Sequence, residues 1–299
     1  MKALILIAIA GLAAQLVDGG LGMGFGVTST TILIALAGLG PAHASAVVHA
    51  AELGTTLVSG FSHWKFGNVD WSVVLRLGVP GALGAFAGAT FLSNISTEAA
   101  APVTAAILTL IGINLVWRFS RGRVRRAAGD RSYRRGFLGG LGVFGGFIDA
   151  SGGGGWGPVT TSTLLTMGKA EPRRIVGTVN TAEFLVTAAA TLGFAIGMWD
   201  EIVQYLPAVL ALLIGGCVAA PVAAWLVSRL DAVLLGGVVG TLLVVLNLPA
   251  VLGVAGVEGA AVVGVRIAAV IAGLGFAVLG YRRAKAARAH DVPPLTGET

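Results

Sequence analysis

One short stretch occurs twice in this chain and constrains what the rest can fold into. Asp18 to Gly26 reads DGGLGMGFG and Asp149 to Gly157 reads DASGGGGWG, an offset of 149 − 18 = 131 residues. The offset holds without a gap. Gly22, Gly24 and Gly26 fall on Gly153, Gly155 and Gly157, and Phe25 falls on Trp156. Further on, Thr30 meets Thr161, Leu33 meets Leu164, Pro41 meets Pro172 and Glu52 meets Glu183. Matches so widely spaced at one offset identify a tandem duplication. Each copy sets an acid and a glycine-rich break between two apolar runs.

Those runs decide the environment. Of 299 residues, 56% are hydrophobic and 11% charged, against roughly 25% charged in an average soluble domain. Trp71–Ser93, Ala99–Trp117, Ile202–Val227, Ala232–Leu248 and Gly259–Gly280 each approach the ~20 residues that cross a hydrocarbon core. The 46 glycines suit close helix crossings, as in Gly84-x-x-x-Gly88. The net charge of +6 comes from basic residues in the loops, which reads as positive-inside topology and not as nucleic-acid binding. The single cysteine, Cys217, excludes an intrachain disulfide and reads as core. Met1-Lys2 followed by Ala3–Val17 resembles a signal peptide. Gly136–Ile148 holds the same place in the second copy, however, so the N-terminus is read as the first structural segment.

Each copy divides into five segments. In the first they are Ala3–Val17, Val27–Leu39, Ala42–Ser62, Trp71–Ser93 and Ala99–Trp117. In the second they are Gly136–Ile148, Pro158–Met167, Pro172–Gly197, Ile202–Val227 and Ala232–Leu248. The expected organisation is a first membrane repeat over 1–117, a basic cytoplasmic linker over 118–135 and a second repeat over 136–249. A final transmembrane helix over 250–281 and a cytoplasmic tail over 282–299 follow, the polar tail after Tyr281 being read as disordered. The first two segments of each copy are short for full spans and suggest half-helices meeting at the break, or a re-entrant hairpin.

Charge orients the segments. The linker carries Arg118, Arg121, Arg123, Arg125, Arg126, Arg131, Arg134 and Arg135, and the tail carries Arg282, Arg283, Lys285 and Arg288, which places both in the cytoplasm. Counting from the linker, Lys169–Arg174 and Arg229 fall inside, and Asp200-Glu201 and Glu258 outside. Counting backwards, Ser62–Asp70 falls inside and the Gly38–Pro41 turn outside. Equivalent loops then face opposite sides. The expected fold class is an all-α polytopic membrane protein with two inverted-topology repeats, each with a Gly-rich broken or re-entrant helix pair.

That architecture belongs to secondary transporters, whose sites lie where helices are interrupted. A helix starting within the membrane has unpaired N–H groups and partial positive charge at its first turn, which favours anions. Glycine lets a ligand approach the backbone, and Pro158 suits a first turn, where its missing N–H costs nothing. Thr28, Ser29, Thr30, Thr160, Thr161 and Ser162 place hydroxyls nearby. These hydroxyls either donate to a ligand or bond their own backbone. His49-x-x-Glu52 is matched by Asn180-x-x-Glu183, a spacing that puts both side chains on one helical face. Intramembrane carboxyls carry protons or make structural hydrogen bonds, and both readings stay open for Glu52 and Glu183. Asp18 and Asp149 brace the break through backbone N–H groups or carry protons. Arg76 and Arg266 lie inside apolar runs and offer positive charge or snorkel.

Other chemistries find no support. Gly140-x-Gly142-x-x-Gly145 and Gly152-x-Gly154-x-x-Gly157 match the dinucleotide fingerprint only formally, with no βαβ unit around them. The chain has no Walker A, H-E-x-x-H or G-x-S-x-G sequence, and its four histidines have no metal-ligand spacing. No catalytic residue, metal or cofactor is expected.

Two copies of an acidic G-x-G-x-G break, each followed by a helix with x-x-E, resemble the sulfite exporter TauE/SafE family of membrane permeases. The resemblance runs from about Ala8 to Gly280. It implies a secondary carrier in the bacterial inner membrane for sulfite or small organosulfonates such as sulfoacetate, or for another small anion; protons as the coupling ion are the expectation from the intramembrane acids. Carried over by position, Gly22, Gly24, Gly26, Thr28, His49, Gly153, Gly155, Trp156, Gly157, Pro158 and Asn180 are substrate-binding candidates. Asp18, Glu52, Asp149 and Glu183 are candidates for proton coupling or gating. Where the second copy has Pro158 the first has Val27. The alternatives are an intramembrane enzyme, or a membrane subunit that binds a partner through the basic linker.

Overall fold

The structure is a computed structural model that describes residues 2–21, 23–122, 133–167, 169–227 and 231–290. Within them every regular element is helical: α1 (Lys2–Leu21), α2 (Phe25–Ala35), α3 (Pro41–Lys65), α4 (Trp71–Ser93), α5 (Thr97–Ser120) and α6 (Arg135–Gly152). A π-helical turn (Gly157–Thr161) then runs into α7 (Ser162–Met167), followed by α8 (Pro172–Gly197), α9 (Trp199–Gln204), α10 (Leu206–Val227), α11 (Ala232–Val254) and α12 (Ala260–His290). Local chemistry sets many of the starts. Pro41 and Pro172 open α3 and α8, and the carboxylates of Asp70 and Asp231 accept the first N–H groups of α4 and α11. Among the described residues, Trp71–Ser93, Thr97–Ser120, Arg173–Gly197, Val233–Val254 and Ala260–Ala287 are long and apolar enough to cross a membrane.

Several boundaries differ from the sequence reading. α1 has 20 residues and α6 has 18, so each is ~27–30 Å long, although neither is among the five described helices both long and apolar enough to cross a membrane. Only the second member of each pair is short. α2 has 11 residues, and the π turn with α7 has five plus six, about 16 Å in each case. The first members run on because Asp18 and Asp149 stay in the last helical turns instead of ending them. The segment expected over Ile202–Val227 is two helices, since Pro207 is accommodated only near the start of a new one. α12 continues to His290, correcting the expectation of disorder after Tyr281. Ala and Arg are strong helix formers, and Arg283 Nη1 donates to the Ser120 carbonyl at 3.0 Å. Cys217 is exposed and not core, because α10 turns Gly215 and Gly216 inward instead. Most of the linker, residues 123–132, and the tail beyond 290 lie outside the described residues.

The two sequence copies are interleaved. α1 lies along α10 and α4 along α6, while α3 crosses α8 and α5 pairs with α11. Glycine makes these crossings possible. A Cβ on Gly11 would stand 2.2 Å from the Leu212 carbonyl oxygen, and one on Gly142 2.3 Å from that of Leu77. Gly112 and Gly240 each leave only 2.7 Å between such a Cβ and the other's carbonyl oxygen. The hydroxyls of Thr56 and Thr187, themselves 131 positions apart, meet at 3.4 Å. Equivalent residues of the two copies thus face each other through the centre. The core follows the same mixing. One cluster joins α4, α6 and α8 around Trp156, another joins α1, α2, α3 and α10 around Phe25 and Leu212, and a third joins Val27 to α5 and α11.

The helix ends sort into two groups. Asp70 receives the Arg174 guanidinium at 3.6 Å and donates its N–H to Thr178, and Gly122 packs on Gly280 and Ala284. At the opposite ends, Gly40 packs on Thr97, His43 stacks on Tyr205 and Gly197 packs on Ser93.

Two alanine variants on α6 test the crossings. A Cβ at Gly146 would lie 2.0 Å from the Gly81 carbonyl oxygen, whereas at Gly139 its nearest neighbour is Pro80 Cγ at 4.0 Å. Gly146→Ala is expected to cost about 1–3 kcal/mol or more, seen as a lower Tm in detergent. Gly139→Ala, on the same helix, is expected to leave Tm unchanged or slightly raised.

Candidate functional site

The two breaks meet back to back. In the first, α1 ends at Leu21 and α2 begins at Phe25, with Gly24 at φ 114°. In the second, Gly153 and Gly154 follow α6 at φ 71° and 128°, a left-handed path that glycine takes without strain. A Cβ on Gly26 would stand 2.8 Å from Gly154 Cα, and one on its equivalent Gly157 would stand 2.6 Å from Met23 Cβ. Met23 and Gly154 are themselves equivalent at the 131 offset. The Thr30 hydroxyl donates to the Gly153 carbonyl oxygen and ties one break to the other. Gly155 packs between Ile111 and Ile148. Gly22 lies outside the described residues.

Both acids brace the helix that follows. The Asp18 carboxylate accepts the Phe25 N–H, and Asp149 Oδ1 accepts the Trp156 N–H at 2.8 Å. A spacing of seven carries each carboxylate across its own break to the first donors of the next helix, which lack intrahelical partners. Pro158 sits in the π turn, where the Ser162 N–H reaches back to the Gly157 carbonyl. Such turns concentrate at functional sites.

Polar side chains of α3 and α8 line up beside the breaks. Ser45, His49, Glu52 and Thr56 form one buried polar stripe on α3, and Asn180, Glu183 and Thr187 form the corresponding stripe on α8. Glu52 Oε1 lies 3.0 Å from where a Gly26 Cβ would be, so the carboxyl abuts the break. Its Oε2 is buried without a hydrogen-bond partner among the described residues. The Glu52 carboxyl feels the charges of Glu183, Asp149 and Asp18, making one electrostatic group of the four acids. Glu183 and Asn180 are half-buried.

His49 faces Asp149. Its Nδ1 lies 2.8 Å from the Ser45 carbonyl oxygen and its Nε2 lies 3.1 Å from Asp149 Oδ2. Asn180, its counterpart, has no hydrogen bond to Asp18 among the described residues. Trp156 is fully buried, with Nε1 donating to the Val179 carbonyl at 3.1 Å. The hydroxyls divide. Thr160 and Ser162 donate to carbonyls one turn back, while those of Thr28, Ser29 and Thr161 are buried without partners among the described residues. Arg76 and Arg266 are half-buried on α4 and α12 and have no hydrogen bond or ion pair to the break among the described residues. Sequence reasoning passed over Ser45, Thr56 and Thr187. Their signals are positions one turn from His49, Glu52 and Glu183 on the same faces.

A family model for the sulfite exporter TauE/SafE matches residues 7–249, both copies with the linker between them. The chain belongs to the sulfite exporter TauE/SafE family. A relative in Bacillus subtilis (strain 168), described as "Probable membrane transporter protein YtnM", is 46% identical over 250 residues, 83% of this chain and 82% of the relative. No solved structure matches. With its apolar helices, this TauE/SafE member is a multi-pass membrane protein and a membrane transporter.

The bracing hydrogen bonds make a testable contrast. Asp149→Ala removes the partner of both the Trp156 N–H and His49 Nε2, while Asp18→Ala strips the Phe25 N–H. Each abandoned buried donor costs about 1–3 kcal/mol. Thermal unfolding in detergent is expected to show the larger loss for Asp149→Ala.

Proposed function

We propose that this transporter is a secondary carrier that moves a small sulfur oxyanion, sulfite or an organosulfonate, by alternating access and in company with protons. The observation that carries the reading is the meeting of two broken helices among four carboxyls. Helix starts at the breaks offer N–H groups and partial positive charge to an anion. Four ionised carboxylates beside them would repel it. Anion binding is therefore favourable only when most of those carboxyls are protonated, which links the two fluxes. The substrate class comes from the family's description.

The reciprocal contacts of the copies support an inverted repeat. The charge on the two groups of helix ends supports its orientation. Lys65, Arg118, Arg121, Arg173, Arg174, Arg282 and Arg283 lie at one end, and Glu98, Asp200 and Glu201 at the other. By the positive-inside rule the first end is cytoplasmic, with the end of α12, in a bacterial inner membrane. Rocking of the interleaved bodies would expose the paired breaks to each side in turn. The enzyme reading and the linker-docking reading gain no observation of their own.

Uptake of labelled sulfite into proteoliposomes, with an imposed pH gradient and competing anions, tests this. Wild-type protein is expected to show gradient-dependent uptake, and Glu52→Gln and Glu183→Gln to lower it by about tenfold or more while keeping the wild-type elution profile. Undiminished pH-dependent uptake in both variants would sink proton coupling through these acids. No uptake of any anion by folded protein would sink the carrier reading.

A further inference from the structure

At the basic end of the molecule α5 and α12 close on each other. A Cβ on Gly122, just past the end of α5, would stand 2.7 Å from the Gly280 carbonyl oxygen and 2.8 Å from Arg283 Cβ. Arg283 Nη1 donates to the Ser120 carbonyl at 3.0 Å, which satisfies one acceptor that the end of α5 leaves over. Three arginines, Arg118, Arg121 and Arg283, are thereby gathered at one helix crossing.

They gather without a counter-charge. No carboxylate pairs with any of the three among the described residues. Asp231, at the start of the adjoining α11, commits Oδ1 to the N–H groups of Val233 and Leu234. Arg118 Nη1 is buried with no hydrogen-bond partner among the described residues, a donor that costs free energy unless an acceptor reaches it. The Arg118 guanidinium lies 5.4 Å from the Phe119 ring centroid, and that of Arg121 lies 4.5 Å from the Trp117 centroid. Trp117 is exposed, as are Leu110 and Ile113 before it on α5. Leu110, Ile113, Trp117 and Arg121 follow one another at spacings of three and four, which is one face of the helix.

That face runs from apolar to aromatic to cationic, the same order as the parts of a phospholipid from its chains to its phosphate. We propose that the crossing of α5 and α12 holds an anionic phospholipid, its phosphate between Arg118 and Arg121 and its acyl chains along Leu110 and Ile113. A guanidinium fork matches phosphate oxygens at two points, and the unpaired Nη1 of Arg118 gains the acceptor it lacks. Indole rings settle at the level of lipid headgroups, and basic pockets between transmembrane helices take such headgroups. A free phosphate would use the arginines but not the apolar lane. A zwitterionic lipid would bring an ammonium among cations that already repel one another. The site lies at the helix ends, and its occupancy does not depend on what the breaks bind.

Native mass spectrometry of the full chain, titrated in detergent with phosphatidylglycerol or with phosphatidylcholine of the same chains, reads this without any transport. Wild-type protein is expected to retain phosphatidylglycerol about tenfold more tightly than phosphatidylcholine. Arg118→Gln and Arg121→Gln are each expected to weaken the phosphatidylglycerol adduct by about fivefold. Lys65→Gln removes the same charge at the same end, from an ammonium over the Phe61 ring, and is expected to leave the adduct unchanged. Equal retention of the two lipids by wild-type protein would overturn the proposal, as would an equal loss in Lys65→Gln, which would show an effect of net charge alone. Displacement of the lipid by millimolar inorganic phosphate would overturn it too, in favour of a free-anion site. The wild-type preference and the exposed Arg121 variant decide the outcome even if Arg118→Gln fails to fold.

Discussion

A backbone donor buried at an interrupted helix must find a partner, and that requirement shapes the centre of this protein. Two helices stop and restart among packed neighbours. Each restart exposes N–H groups that would cost about 1–3 kcal/mol apiece if left unpaired. Asp18 and Asp149 satisfy the first of them. The glycines between acid and helix are what let the chain turn back tightly enough for a carboxylate seven residues upstream to arrive. Gly26 and Gly157, lacking side chains, then let the two turns touch.

Putting carboxylates beside an anion-favouring helix start is electrostatically contradictory unless protons intervene. In the proposed carrier, the same groups that support the backbone would make occupancy depend on protonation. Glu52 sharpens the contradiction, because one of its oxygens has no hydrogen-bond partner among the described residues. Stability and responsiveness are drawn from one set of side chains. That is a common arrangement where a polar network is placed in a low-dielectric interior.

Much of this was legible in the chain itself. The 131-residue offset located both breaks, both bracing acids and the paired glutamates before any packing was known. Apolar run length gave the helical membrane class and, in α8, both boundaries. What escaped was decided by contacts remote in sequence. That α1 lies on α10 and α4 on α6 depends on which glycine faces which carbonyl, and periodicity cannot report it. His49 looked like a ligand-facing residue, yet its ring turns to Asp149, 100 positions away. The extension of α12 to His290 was hidden by its charge, which suggested solvent although alanine and arginine favour helix. Cys217 shows the converse: an apolar setting in sequence says nothing about which face of the helix turns outward.

The interleaving of the copies bears on how such a chain is assembled. The first copy emerges from the ribosome with α1 and α4 both lacking the helices they are shaped to fit. Their partners, α10 and α6, are still to be synthesised. Glycine positions that fit a carbonyl of the other half have no such partner until that half is made. The native fold therefore cannot mature one repeat at a time, as consecutive domains do during synthesis. It closes late, when the second half arrives and the two interlock. The duplication that doubled this chain made each half the scaffold on which the other is completed.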